Sequence, residues 1–405
     1  MGFFHRQRRL SPKGVARCGL CLQCSIAHAL ETAMNAALPT ATAHALPLQA
    51  LDPAQWLRAK PLLDENWIHA HPALARALPV VLARDVGQDW HKAGTFRHHL
   101  LGVTRTLQLW QQPEDVKLLG LLHSVYGNAF VDLVKFDASS ERSQLAALVG
   151  EPAEQLVYEF CVLSRAQFVQ KVLAGAIEPD GAVLLDHQGA PRRVEPYTVA
   201  AFIIVSMADT IEQWFSWQDD IFSSFPQVPQ RPQKAHWMAS LWPGPMRPSG
   251  RMLSQIASLG LALQHPALQS LLPTPPVFAN CTQGLSPAAD AAAASLYWSV
   301  IQQDQPLTDL DVATGVLEQA VQLNPWVGEP QMVLAQLYLS AGRDADALAA
   351  ADSALQCFSQ WGNAWDKRVQ WDAWVAWTRI LQQHARNGNW PERLDKLNNV
   401  ALRPE

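Results

Sequence analysis

Three residues far apart in the chain offer the clearest chemistry: His99 in DWHKAGTFRHHLLG (89–102), His123 in GLLHSVYG (120–127) and Asp209 in ADTIEQ. With Thr95 as the cap of a helix, His99, Val103, Leu107 and Trp110 fall on one apolar stripe, and His98 points outward with Arg105. His123 shares an inward face with Val116, Leu119 and Gly120. Asp209 ends a long uncharged run, TVAAFIIVSMAD, on the face of Phe202 and Val205. A carboxylate there is costly to bury unless a cation meets it. Imidazole nitrogen and carboxylate oxygen ligate Zn, Fe, Mn or Ni, so two inward histidines and one inward acid on three helices point to one divalent metal ion.

Around that set lie further candidates. Ser124 follows His123 directly, and Tyr126 and Asn128 lie in the turn beyond it, where they overlook such a site. Glu212 is one turn past Asp209 and is placed to be a further ligand or a general base. His69 and His71 read as surface or capping residues, and Arg192, Arg193, Arg247 and Arg251 as solvated loop charge. The chain has no P-loop, dinucleotide fingerprint, GxSxG elbow or HExxH run.

The elements that must position these groups are helical. With 49% apolar and 17% charged residues, most of the 405-residue chain is expected to fold, as two or three packed units. From 46 to 225 the apolar period is that of helices, with a start signal at Gln112-Pro113-Glu114-Asp115. GAVLLDHQGAPRRVEP (181–196) is the best candidate for a short hairpin or irregular loop. A proline- and tryptophan-rich connector over 226–290 holds one helix, LSQIASLGLALQ.

Residues 291–405 form a different object. Ala313, Leu317, Ala320 and Pro325 are matched 34 positions on by Ala347, Ala351, Ala354 and Ser359. Gly342 marks the turn between them, a degenerate third unit begins at Trp365, and the tryptophans of WDAWVAWTRIL suggest a capping helix. This period resembles the tetratricopeptide repeat. So short a module is expected to pack on the domain before it.

Residues 1–45 read as a basic leader, disordered or organelle-targeting, with Arg6, Arg8, Arg9, Lys13 and Arg17 before the first acid, Glu31. Its CGLCLQC run has iron–sulfur spacing without a fourth cysteine nearby, and reads as part of the leader. Cys161, Cys281 and Cys357 are isolated, which argues against a disulfide framework. A net charge of −5 gives no general attraction to nucleic acid or anionic lipid. The longest apolar run, VAAFIIVSMA, is far short of the ~20 residues a membrane span needs. The expected compartment is the cytoplasm, or an organelle if the leader is a transit peptide.

His99, then His123, then a distal Asp209 resembles the helical HD superfamily, in which histidines and aspartates bind divalent metal, mostly for phosphoester hydrolysis. The motifs HLLG (99–102) and HSVYG (123–127), followed by a GEPAEQLVY helix, are similar to an HD-like family of unknown function over roughly 60–225. Where the superfamily has His-Asp, this chain has His123-Ser124. The missing acid implies one metal rather than two. The resemblance thus implies an all-α protein with His99, His123 and Asp209 around one ion (Zn, Fe or Mn), hydrolysing a phosphoester or related small substrate. Two alternatives stand beside it: an iron-dependent oxygenase on the same triad, and a non-catalytic scaffold that grips a protein partner through the repeat module.

Overall fold

A computed structural model describes residues 53–91, 94–128, 133–213, 250–275, 277, 286–301 and 309–390. The leader with CGLCLQC, the first part of the connector with Arg247, and Cys281 lie outside the described residues. In chain order the helices and strands are α1 (Pro53–Leu63), α2 (Trp67–Ala70), α3 (Pro72–Leu82), β1 (Trp90–His91), β2 (Gly94–Thr95), α4 (Phe96–Leu109) and α5 (Glu114–Leu122). Next come α6 (Arg142–Val149), α7 (Glu151–Val162), α8 (Arg165–Leu173), β3 (Ala182–Leu185), β4 (Pro191–Val194) and α9 (Pro196–Gln213). The remainder is α10 (Gly250–Ala262), α11 (Pro287–Ile301), α12 (Leu310–Leu323), α13 (Gly328–Ser340), α14 (Asp344–Trp361) and α15 (Trp371–Asn387). The fold is all-α, with two small hairpins among the described residues.

Local chemistry sets the key helix ends. The β1–β2 ribbon pairs Trp90 with Thr95 and His91 with Gly94, which delivers the chain to α4. Thr95, in extended backbone, then accepts the His98 N–H on its Oγ1 and caps that helix. Pro113 opens α5, and Glu114 and Asp115 sit in its first turn, where the helix dipole favours acids. His123 caps the C-terminus of α5, and the chain turns away through Gly127 at φ 73°. The 181–196 segment is an antiparallel hairpin, Ala182 facing Val194 and Leu185 facing Pro191.

Helix α4 packs on α5 and α9, and α5 packs also on α7. The α4–α5 approach is close because Gly120 has no side chain: a Cβ there would lie 2.2 Å from Leu107 Cδ1. Helix α9 is nearly all buried, which explains its uncharged run. Helices α11 to α15 pack each on the next. The 34-residue echo has a physical basis there: Ala313, Leu317 and Ala320 of α12 and Ala347, Ala351 and Ala354 of α14 are all buried where helices cross. Trp365 itself lies outside any helix. It lies buried in the stretch between α14 and α15, and the tryptophan-rich tail forms the single helix α15.

The described residues belong to one compact unit, and α14 packs against α1 and α4. The outward placement of Arg105 therefore needs correction. Its Nε donates to the Gly362 carbonyl at 2.9 Å and its guanidinium lies over the Trp371 ring. A helix wheel identifies the face opposite the core of one bundle, and here the C-terminal helices cover that face. His98, by contrast, is exposed as expected. Among the described residues no helix is long and apolar enough to cross a membrane.

Candidate metal centre

His99 on α4, His123 at the end of α5 and Asp209 on α9 are buried and converge. His99 Nε2 lies 3.0 Å from His123 Nε2 and 3.3 Å from Asp209 Oδ1, and His123 Nε2 is 3.8 Å from the same oxygen. Ligands on one ion at about 2.0–2.2 Å, in tetrahedral or octahedral arrangement, stand roughly 3.0–3.5 Å apart; the two His99 distances fall in that range, and the His123–Asp209 distance of 3.8 Å has to close by a few tenths of an ångström around a single divalent ion.

The other ring nitrogens decide which tautomers are present. His123 Nδ1 donates to the Gly120 carbonyl at 2.8 Å, and His99 Nδ1 donates to Glu212 Oε2 at 2.5 Å. Each bond places a proton on Nδ1, so that in the neutral ring the Nε2 lone pair turns inward, the outer contact that metal-binding histidines usually have. Burial pushes the His123 imidazole down to about 4, so it is neutral near pH 7. Two lone pairs and a carboxylate oxygen then face one another, and they repel unless a cation or a further proton lies between them.

The acid is prepared in the same way. Burial alone would raise Asp209, but the Arg165 guanidinium, which donates to its Oδ2 at 2.7 Å, holds it well below the usual carboxylate range. This guanidinium, which also lies over Phe160, is the cation that the uncharged run of α9 called for. It leaves Oδ1 turned to the histidines. Gln213 Nε2 donates to that oxygen at 2.7 Å and lies 3.2 Å from His99 Nε2, so its amide occupies part of the space between the donors.

Glu212 is less solvated than its place near a helix end suggests. Against the opposing effect of burial, His99 and then Lys367 lower its pKa. It fits because α4 has Gly102 opposite it, where a Cβ would stand 2.8 Å from Glu212 Cγ. The glycine of HLLG is thus a place for a carboxylate.

The remaining candidates lie elsewhere. Ser124 is buried and its hydroxyl accepts from Asn128 at 3.0 Å. Tyr126 donates to Glu154 at 2.8 Å, a carboxylate also held by Arg142, so its hydroxyl is committed to that cluster. His71 caps α3 through Nδ1, and His69 contacts Asn66. Cys161 donates to the His123 carbonyl, and burial pushes its thiol up to about 12; the donors that converge are His99, His123 and Asp209, without it.

A cavity of about 240 Å³ reaches the site, lined by His91, His98, His99, Gly102, Arg105 and Glu212 on one side and by residues of the 363–372 stretch on the other. His91, tilted against His99 with ring centroids 4.6 Å apart, was not distinguishable in the sequence from its neighbours. Arg165, Gln213 and Lys367 also went unread, because their roles exist only once distant helices meet.

A family model described as a domain of unknown function (DUF6817) matches residues 80–165. That stretch carries His99, His123 and Arg165 but neither Asp209 nor the C-terminal helices. No curated protein and no solved structure matches the chain.

Proposed function

We propose that the chain is a degenerate HD-type hydrolase that uses one divalent ion, held by His99, His123 and Asp209, on a phosphoester or related small substrate. The observation that supports this reading is the pair of Nε2 atoms 3.0 Å apart, with Nδ1 of each ring hydrogen-bonded elsewhere, beside a buried carboxylate oxygen. A bound ion supplies Lewis-acid polarisation and water activation near neutral pH. The chain's own residues do the rest. Glu212 holds the His99 tautomer and, lining the cavity, is the candidate proton acceptor. Arg165 keeps Asp209 ionised. Ser124 stands where a second acid would be needed and is engaged with Asn128, which limits the site to one ion.

The test is turnover of an aryl phosphomonoester and an aryl phosphodiester by the full chain loaded with Zn or Mn. Hydrolysis that needs the metal and disappears in His99→Ala supports the proposal. No turnover of either ester at stoichiometric metal contradicts it.

Two histidines and one carboxylate are also the ligand set of non-haem iron oxygenases, which gives the oxygenase reading its support. Tight preference for Fe(II), with dioxygen uptake in place of ester hydrolysis, would select it. The scaffold reading has less behind it, because part of the C-terminal module faces inward onto the cavity instead of outward to a partner.

A further inference from the structure

The 363–372 stretch has no regular structure until α15 begins, yet it is held by an unusual number of buried polar contacts. Glu329 Oε1 accepts the backbone N–H groups of Trp365 at 2.6 Å and Asp366 at 3.1 Å. The Asp366 carboxylate accepts from Tyr297 at 2.7 Å and pairs with Arg368, and its carbonyl accepts from Trp374. At the start of the stretch, Arg105 and Trp110 of the N-terminal bundle hold the carbonyls of Gly362 and Gln360. Buried polar groups are costly unless paired, and pairing on this scale holds one conformation; within the stretch, Asn363 Nδ2 is the buried side-chain atom left without a hydrogen-bond partner.

What this conformation fixes is Lys367. Its Nζ donates to Asn363 Oδ1 at 2.6 Å and to the Ile211 carbonyl at 3.3 Å, immediately before Glu212. Lys367, Glu212 and His99 line the same cavity. With a divalent ion in place, the ion, the Arg165 that pairs with Asp209, and Arg105 and Lys367 of the lining stand against Asp209 and the lining carboxylates Glu65, Glu212 and Asp372, which leaves a small excess of positive charge. The volume, about 240 Å³, is below the roughly 300–1,000 Å³ of pockets for drug-sized ligands.

We propose that the C-terminal helices complete the ligand pocket, and that Lys367 is its anion-recognising residue, so that the ligand is a compact anion of the phosphate type. This inference rests on the metal reading and deepens it. The module is then a wall of the site, and Lys367 supplies a fixed ammonium as the ion supplies charge on the other side.

The experiment is calorimetric titration of the full-length protein with inorganic phosphate, with metal content measured on each sample. Lys367→Met is expected to weaken phosphate about tenfold or more, Lys367→Arg to keep most of the affinity, and both to hold wild-type metal. Val369→Glu changes a partly exposed residue of the same wall without touching the core, and is expected to weaken phosphate several-fold by charge repulsion even if Lys367→Met does not fold. Equal phosphate affinity in the folded variants and wild type, or no phosphate binding by wild type, overturns the inference. A metal-free wild type sinks the metal reading alone. The Lys367 claim is then decided by the same titration: a Lys367-dependent affinity upholds it, and its absence overturns it.

Discussion

His99 and His123 present Nε2 to Nε2 at 3.0 Å, with Nδ1 of each ring already bonded, to Glu212 in one case and to the Gly120 carbonyl in the other. That relationship makes the site more than a pair of core histidines. Single buried histidines satisfy themselves with one donor and one acceptor, whereas here two ring nitrogens and an ionised acid meet around one amide donor, Gln213 Nε2.

If Glu212 orients His99 for metal, Glu212→Gln should lower metal affinity about 10- to 100-fold while leaving the fold intact. Gly102→Ala should do the same by displacing Glu212, whose Cγ lies 2.8 Å from the added methyl. Competition with a chelator measures both. Unchanged affinity in each would remove Glu212 from the site.

Gln213 contacts Asp209 and His99 as a donor, so it competes with a cation for their lone pairs. Gln213→Ala should therefore bind metal as tightly as wild type or several-fold more tightly. A loss of metal in this variant would instead make the amide part of the ligand shell.

The α4–α5 contact is a packing claim. Gly120→Ala forces a methyl to within 2.2 Å of Leu107 Cδ1, and overpacking of this kind costs about 1–3 kcal/mol. Denaturant unfolding should show the loss. A neutral substitution would mean that the Leu107 side chain swings aside at little cost.

Glu329 gives a pH-dependent prediction. Burial, with Asp366 beside it, pushes its carboxyl up to about 8, against an ordinary value of 4.5. Between those pH values the folded state keeps a proton that the unfolded chain has lost, so this group's contribution to stability falls as pH rises through the window. Glu329→Gln retains the acceptor for Trp365 and Asp366 and cannot ionise. It should match wild type near pH 4.5 and exceed it by roughly 3–5 kcal/mol above pH 8. Parallel pH–stability curves for the two proteins would contradict the buried, protonated state.

The sequence showed His99, His123 and Asp209 for a definite reason. Each lies on the buried face of a periodic helix, where a polar side chain stands out against its neighbours. The hairpin at 181–196 and the cap at Thr95 were legible in the same local way. The partners that give the triad its character were not. Arg165 could be anticipated only as some cation demanded by Asp209. Lys367, 155 positions after Glu212, has no local signal at all. Arg105 misled because the wheel of α4 shows one core, and the chain supplies a second surface from α14 and α15. Gly102 reads as an ordinary helix glycine until Glu212 is seen against it.

The most direct measurement is the metal content of full-length protein by elemental analysis, with His123→Ala and Asp209→Ala beside it. The expected result is close to one equivalent of Zn, Fe or Mn in the wild type, and loss in both folded variants. A folded wild type that carries no metal and takes up none on addition would mean that His99, with a second proton shared toward His123, closes the cluster alone, and the metal-dependent account would be wrong.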